Sequence, residues 1–191
     1  MLICITGKLG VGKTTALNIL KSQRFITLAM DDFIHEIYQK NNIGYKMIEK
    51  AFGKIYLTAQ SVDRKKLGKL VFNDVKSLKK LDNIMIPMMQ NKLVQMRDTY
   101  PLSFVELAVY INYEKVFKKY FDKVILIISD KTLEKQNLKR KIGYIRKFST
   151  NTVGNTKNPI KNRLIKSDYV VENNQDIKNL RNQIVKITKN F

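Results

Sequence analysis

Apolar residues fall in short runs divided by polar turns, and this rhythm predicts strands alternating with helices. Residues 1–6 (MLICIT) form an apolar run that stops at Gly7, as a short buried strand does. Over 13–23 the apolar positions are Ala16, Leu17, Ile19 and Leu20, a helical spacing. Phe25 to Met30 reads as a second strand that closes on Asp31 and Asp32, and 33–51 as one helix. Residues 63–98 read as two or three helices, with Pro87 marking a kink or a helix start. Ser103 to Ile111 reads as a strand with its flank. Val124-Ile125-Leu126-Ile127-Ile128, bounded by Asp122 and by Ser129-Asp130, is the clearest buried strand. Beyond it come a helix over 131–142, a polar loop or lid over 143–162, a last strand at Tyr169-Val170-Val171 and a last helix over 175–189.

Alternation of this kind predicts βαβ units, hence an α/β fold with a parallel sheet flanked by helices. The helical stretch at 63–98 is too long for one crossover and predicts an insert beside the sheet. The 191 residues suit one domain, and 44% apolar residues suffice for a sizeable core. No run reaches the roughly 20 apolar residues of a membrane span. The N-terminus lacks the basic start of a signal peptide. One cysteine, Cys4, rules out an internal disulfide and a multi-cysteine zinc site, which fits a reducing cytoplasm. It reads as a small buried hydrophobe inside the first strand.

Charge changes this picture less than its size suggests. The net charge is +20, from 29 Lys and seven Arg against 16 acidic residues. An anionic partner is one source of such a bias. A Lys, Asn and Ile surplus with few Arg and no Trp is also what AT-rich coding produces. The basic residues are spread along the chain, which weighs against a dedicated nucleic-acid surface. Either way the field draws anionic substrates inward at low salt.

Gly7-Lys8-Leu9-Gly10-Val11-Gly12-Lys13-Thr14 carries the chemistry. It fits G-x-x-x-x-G-K-[ST] without mismatch, between a predicted strand and a predicted helix. Glycines let the backbone wrap an anion and aim N–H groups at it. The helix start adds partial positive charge. Lys13 suits the β- and γ-phosphates, and the Thr14 hydroxyl suits Mg²⁺. A chance glycine turn is the plain alternative, and the strand and helix in register argue against it. The motif alone says only that a nucleoside triphosphate binds. A short chain without a guanine-reading N-K-x-D favours a small kinase. A carboxylate at the end of the second strand, Asp31 or Asp32, could take the acceptor's proton or could merely cap the next helix.

From here the sequence resembles the dephospho-coenzyme A kinase family, in order along most of the chain. Ile5 to Thr14 resembles the family's T-G-G-I-G-S-G-K-S/T, and Met30-Asp31-Asp32 falls at its D-A-D. Phe52-Gly53 matches a recurring F-G. Asp63-Arg64-Lys65-Lys66-Leu67 with Val71-Phe72 resembles R-x-x-L…I/V-F. Leu81 to Pro87 lies at L-N-x-L/I-x-H-P. Leu138-Lys139-Arg140 falls at L-x-R, and Arg163, Asp168 and Val170 to Asn174 at R…A-D-x-V-I-x-N. Departures are Met30 for the first aspartate, Ile86 for the histidine, Glu106 to Asn112 for D-x-P-L-L-F-E, and a lid without R-x-x-x-Q.

The resemblance implies ATP-dependent phosphorylation of the ribose 3′-hydroxyl of dephospho-coenzyme A. It implies a P-loop kinase core (1–58, 100–140 and 164–191), a helical acceptor-binding insert (about 59–99) and a lid (about 141–163). Gly7, Lys8, Leu9, Gly10, Val11, Gly12, Lys13, Thr14 and Thr15 would hold ATP. Thr14, helped by Glu106, would hold Mg²⁺, and Asp32 would be the general base. Asp32, Arg64 and Glu106 would face the acceptor, although Arg64 is equally readable as a solvated helix residue. Arg140 would reach the phosphates from the lid or be an exposed helix arginine. Lys139, Lys141, Arg146 and Lys147 would surround the substrates or be a solvated face. Asn173 and Asn174 would touch adenine or form a polar turn. His35 reads as a surface residue, and Met85, Met88, Met89 and Met96 as core. Two rival functions remain open at this stage: another small kinase, for nucleosides or nucleoside monophosphates, and a basic nucleic-acid-binding protein with a triphosphate site.

Overall fold

Period-two alternation in the central strand sorts the core into two faces. In β1 (Leu2–Gly7) every residue is buried; Ile3 and Ile5 join one apolar cluster, Leu2 and Cys4 another. The same division holds in β3 (Ser103–Glu106), with Phe104 against Val105, and in β4 (Lys123–Ile128), with Ile125 and Ile127 against Val124. A strand buried on both faces belongs in the middle of a parallel sheet. The computed structural model, which describes residues 1–130, 166–174 and 176–191, places it there. The order is β2 (Ile26–Ala29), β3, β1, β4, β5 (Tyr169–Glu172), with every neighbour parallel.

Helices α1 (Lys13–Ser22) and α7 (Ile177–Thr188) cover the first face, burying Ala16, Leu17, Ile19 and Leu20 beside Leu180, Ile184 and Ile187. The second face is covered by α5 (Val75–Thr99), through Met89, Leu93 and Met96, and by α6 (Tyr110–Phe117). A third cluster lies off the sheet. It gathers Ile37 and Tyr38 from the end of α2 (Met30–Ile37), Ile48 from α3 (Ile43–Phe52), Leu67 and Val71 from α4 (Arg64–Asn73), and Ile84 and Met85 from α5. The long α5 therefore serves both the sheet and the helical unit. Among the described residues no helix is long and apolar enough to cross a membrane.

Two carboxylates pin the strand starts. Asp122 accepts the Leu2 N–H at 2.7 Å and pairs with Arg97 at 2.7 Å. Asp168 accepts the Val124 N–H at 2.9 Å and pairs with Lys123 at 3.2 Å. Partial burial would raise the Asp122 carboxyl, but the Leu2 N–H and the Arg97 guanidinium overrule it and hold it below its ordinary value.

Several predicted elements are corrected. The helix read over 33–51 is two helices, because the chain turns through Asn41 in left-handed conformation (φ 70°). Strand β2 ends at Ala29, so Met30, Asp31 and Asp32 form the first turn of α2 instead of a strand end. Pro87 neither starts nor ends a helix; it lies exposed within α5. Water can satisfy the Asn83 carbonyl that a proline leaves without a donor. Only Ser103–Glu106 of the run 103–111 is strand, and Tyr110 already opens α6. Cys4 is buried and His35 exposed, as read; Met85, Met89 and Met96 are core, and Met88 is half-buried. The predicted helix over 131–142 and lid over 143–162 lie outside the described residues.

Candidate active site

Strand β1 delivers the glycine loop to the carboxyl edge of the sheet, the edge where parallel α/β folds bind ligands. Two glycines there are required by geometry. Gly7 has φ 152°, and a β-carbon on it would come within 2.3 Å of the Ile127 carbonyl oxygen of β4. Gly12 has φ 101°, and its β-carbon would fall 2.4 Å from Asn173 Nδ2. Gly12 is the N-cap of α1 and offers no side chain to the helix's first N–H groups. No acidic residue stands in that first turn, so the amides of Lys13, Thr14 and Thr15 keep their positive end for a ligand.

Lys13, only 6% exposed, folds back so that Nζ donates to the Lys8 carbonyl at 3.0 Å. The ammonium is thus held over the loop it belongs to. Lys8, Leu9 and Thr14 are exposed, Gly10 and Thr15 half-buried, and Val11 buried in the sheet core. Thr14 Oγ1 lies 3.4 Å from Glu106 Oε2. Glu106 ends β3, and the turn after it is fixed: the Leu107 N–H donates to the Ile5 carbonyl at 3.0 Å, and Thr6 Oγ1 donates to the Leu107 carbonyl at 3.0 Å. A hydroxyl from the head of α1 and a carboxylate from the end of β3 are thereby brought together. Such hard oxygen donors suit Mg²⁺. Among the described residues no group of three or more His, Cys, Asp or Glu is placed to hold a metal ion.

Asp31 and Asp32 are exposed in the first turn of α2. The cap position is Ala29, with no side-chain cap hydrogen bond, so neither aspartate acts as the N-cap. Ala29 stands opposite Glu106, and Glu106 opposite Ile5. At about 4.8 Å per strand, the ends of β2 and β1 are about 10 Å apart on one edge.

Arg64 opens α4 and is exposed. Burial pushes the Tyr38 hydroxyl up to about 12, while the charge of Arg64 pulls the other way. Arg64 therefore lies near the C-terminal end of the helix whose first turn carries Asp32. Asn174 accepts the Asp130 N–H on Oδ1 at 2.7 Å. Its neighbour Asn173 makes the contact with the loop, donating from Nδ2 to the Val11 carbonyl at 2.9 Å. Sequence reasoning did not foresee this link, since nothing local ties positions 162 residues apart. Arg140, Lys139, Lys141, Arg146, Lys147 and Arg163 lie outside the described residues.

The strand order, the glycine loop at the head of α1 and the Thr14–Glu106 pair define a P-loop phosphotransferase of the small-molecule kinase type. The family profile described as dephospho-CoA kinase matches residues 1–179, and the chain belongs to that family. It is 38% identical over 142 residues to the dephospho-CoA kinase of Mycoplasma pneumoniae, covering 73% of this chain and 71% of that protein. It is 35% identical over 194 residues to that of Mycoplasma genitalium, covering 100% and 93%. In fold it is similar to the crystal structure of TT1252 from Thermus thermophilus, with TM-score 0.72, 19% identity and coverage of 100% and 96%.

Proposed function

We infer that the protein transfers the γ-phosphoryl group of ATP to the ribose 3′-hydroxyl of dephospho-CoA, giving CoA and ADP. The observation that carries this is the left-handed glycine loop at the head of α1, in a chain matched to the family over residues 1–179. The bond from the γ-phosphorus to the bridging oxygen breaks, and a bond to the 3′-oxygen forms. The hydroxyl proton passes to the Asp32 carboxylate, and ADP leaves.

Phosphoryl transfer asks mainly for alignment and charge neutralisation. The amides of residues 7–15 and the Lys13 ammonium hold the triphosphate. Asp32, in the first turn of the helix that follows β2, orients the acceptor hydroxyl. Arg64 and the helical unit around 59–99 receive the rest of the acceptor; the placement of Arg64 near α2 supports this. Arg140 and a lid over about 141–163 are assigned to the phosphates on family resemblance. Thr14, with Glu106 beside it, would hold Mg²⁺, which neutralises phosphate charge when bound. We place the reaction in the cytoplasm, in keeping with a lone buried cysteine.

Substrate profiling tests the reading. ADP should form with dephospho-CoA and not with nucleosides or nucleoside monophosphates. Equal or better turnover of a nucleoside would replace this acceptor with another.

A further inference from the structure

Asn173 is not in the glycine motif, yet it touches that motif twice. Its Nδ2 donates to the Val11 carbonyl at 2.9 Å, and the same nitrogen fills the space that a β-carbon on Gly12 would need, 2.4 Å away. It does so from a fixed base. Its own N–H donates to the Ile128 carbonyl at the end of β4 at 2.8 Å, and the next residue, Asn174, accepts the Asp130 N–H. Only the amide nitrogen of this side chain can face a carbonyl oxygen as a donor, so the orientation of the amide is set by chemistry.

We propose that Asn173 is a positioning residue that aims the Gly12 N–H of the phosphate loop at bound triphosphate. A trans peptide is planar, with its C=O and N–H pointing in opposite directions. Pulling the Val11 carbonyl toward Asn173 therefore turns the Gly12 N–H away from Asn173. It also keeps a carbonyl oxygen from facing the anion. Gly12, at φ 101°, has the freedom to rotate this peptide, so without an anchor the amide would lose its fixed aim. Glycine at 12 and asparagine at 173 form one device: the first leaves the space, and the second occupies it and holds the carbonyl. Preorganised N–H groups are worth most where charge gathers in a transferring phosphoryl group. This rests on the reading of residues 7–15 as the ATP site.

The test uses the full chain with MgATP and no acceptor. Wild type, Asn173→Ala and the isosteric Asn173→Asp are compared by calorimetry and by the backbone amide resonance of Gly12. In wild type that proton should move downfield as MgATP is added, because it donates to a phosphate oxygen. In Asn173→Ala the downfield movement should be lost and ATP affinity should fall about five- to tenfold, the loss of one ordinary hydrogen bond. Asn173→Asp should bind more weakly still, because a carboxylate would face the Val11 carbonyl and push it away instead of holding it. Its near-identical shape keeps the test alive if the alanine variant does not fold. Unchanged affinity, or weakened affinity with the Gly12 proton still moving as in wild type, would overturn the proposal. With no acceptor present, failure to phosphorylate dephospho-CoA would sink the proposed reaction and leave this result standing.

Discussion

Lys13 and Thr14 open α1, Glu106 ends β3 and Asp32 lies in the first turn of α2, and a single substitution isolates the role proposed for each. Asp32→Asn keeps shape and removes the proposed base. Turnover should fall about a hundredfold or more, while ATP affinity stays within about twofold of wild type. Near-normal turnover would leave Asp32 without the assigned role. Lys13→Ala should lose both turnover and nucleotide affinity, because an ammonium that holds the phosphates in the ground state meets still more charge as the phosphoryl group transfers. Tyr38 gives a prediction in pH. Its hydroxyl ionises near 10 in an unfolded chain and near 12 in the fold, so above pH 10 the unfolded state loses a proton that the folded state keeps. The stability that Tyr38 contributes is complete below pH 10 and is lost between about 10 and 12. In urea titrations at pH 9 and 11.5, Tyr38→Phe should lose less stability than wild type, by on the order of 2 kcal/mol.

Among the elements, those buried on both faces are legible in the sequence alone. The runs 1–6 and 124–128 are all but identical to β1 and β4, since unbroken apolar stretches have few other uses in a chain this size. Misreadings fell where tertiary context overrides local pattern. Asn41 breaks a helical pattern with a left-handed turn that asparagine tolerates, and Pro87 does not start a helix because an exposed turn inside a 25-residue helix carries it. The run Leu107-Ala108-Val109-Tyr110-Ile111 is apolar enough for a strand but serves a turn and a helix under the sheet. Element α5 joins the sheet to the helical unit, and Leu93, fully buried at that junction, is its natural probe. Leu93→Ala should cost about 2–5 kcal/mol of unfolding free energy in denaturant titration. A loss below about 1 kcal/mol would mean that α5 is not anchored there.

At the scale of the whole molecule, the glycine motif and the alternation of elements made the α/β kinase core legible in the sequence, and the family match agrees. The site was legible only where its residues are neighbours in the chain. Gly7 to Thr14 form one word. The Thr14–Glu106 approach was suggested by family resemblance alone, and the Asn173 contact with Val11 was not suggested at all. Contacts across 92 and 162 residues depend on strand order, which local pattern does not specify. The +20 charge acts at this scale too. Raising salt from about 0.05 to 0.5 M should lower kcat/KM for the anionic substrates more than kcat, as screening shortens the reach of the field.

The most direct measurement follows phosphorus itself. With ATP and dephospho-CoA present, phosphorus NMR should show a new phosphomonoester on the ribose 3′-oxygen, growing in step with ADP. Inorganic phosphate in its place, or a monoester at another oxygen, would contradict the account.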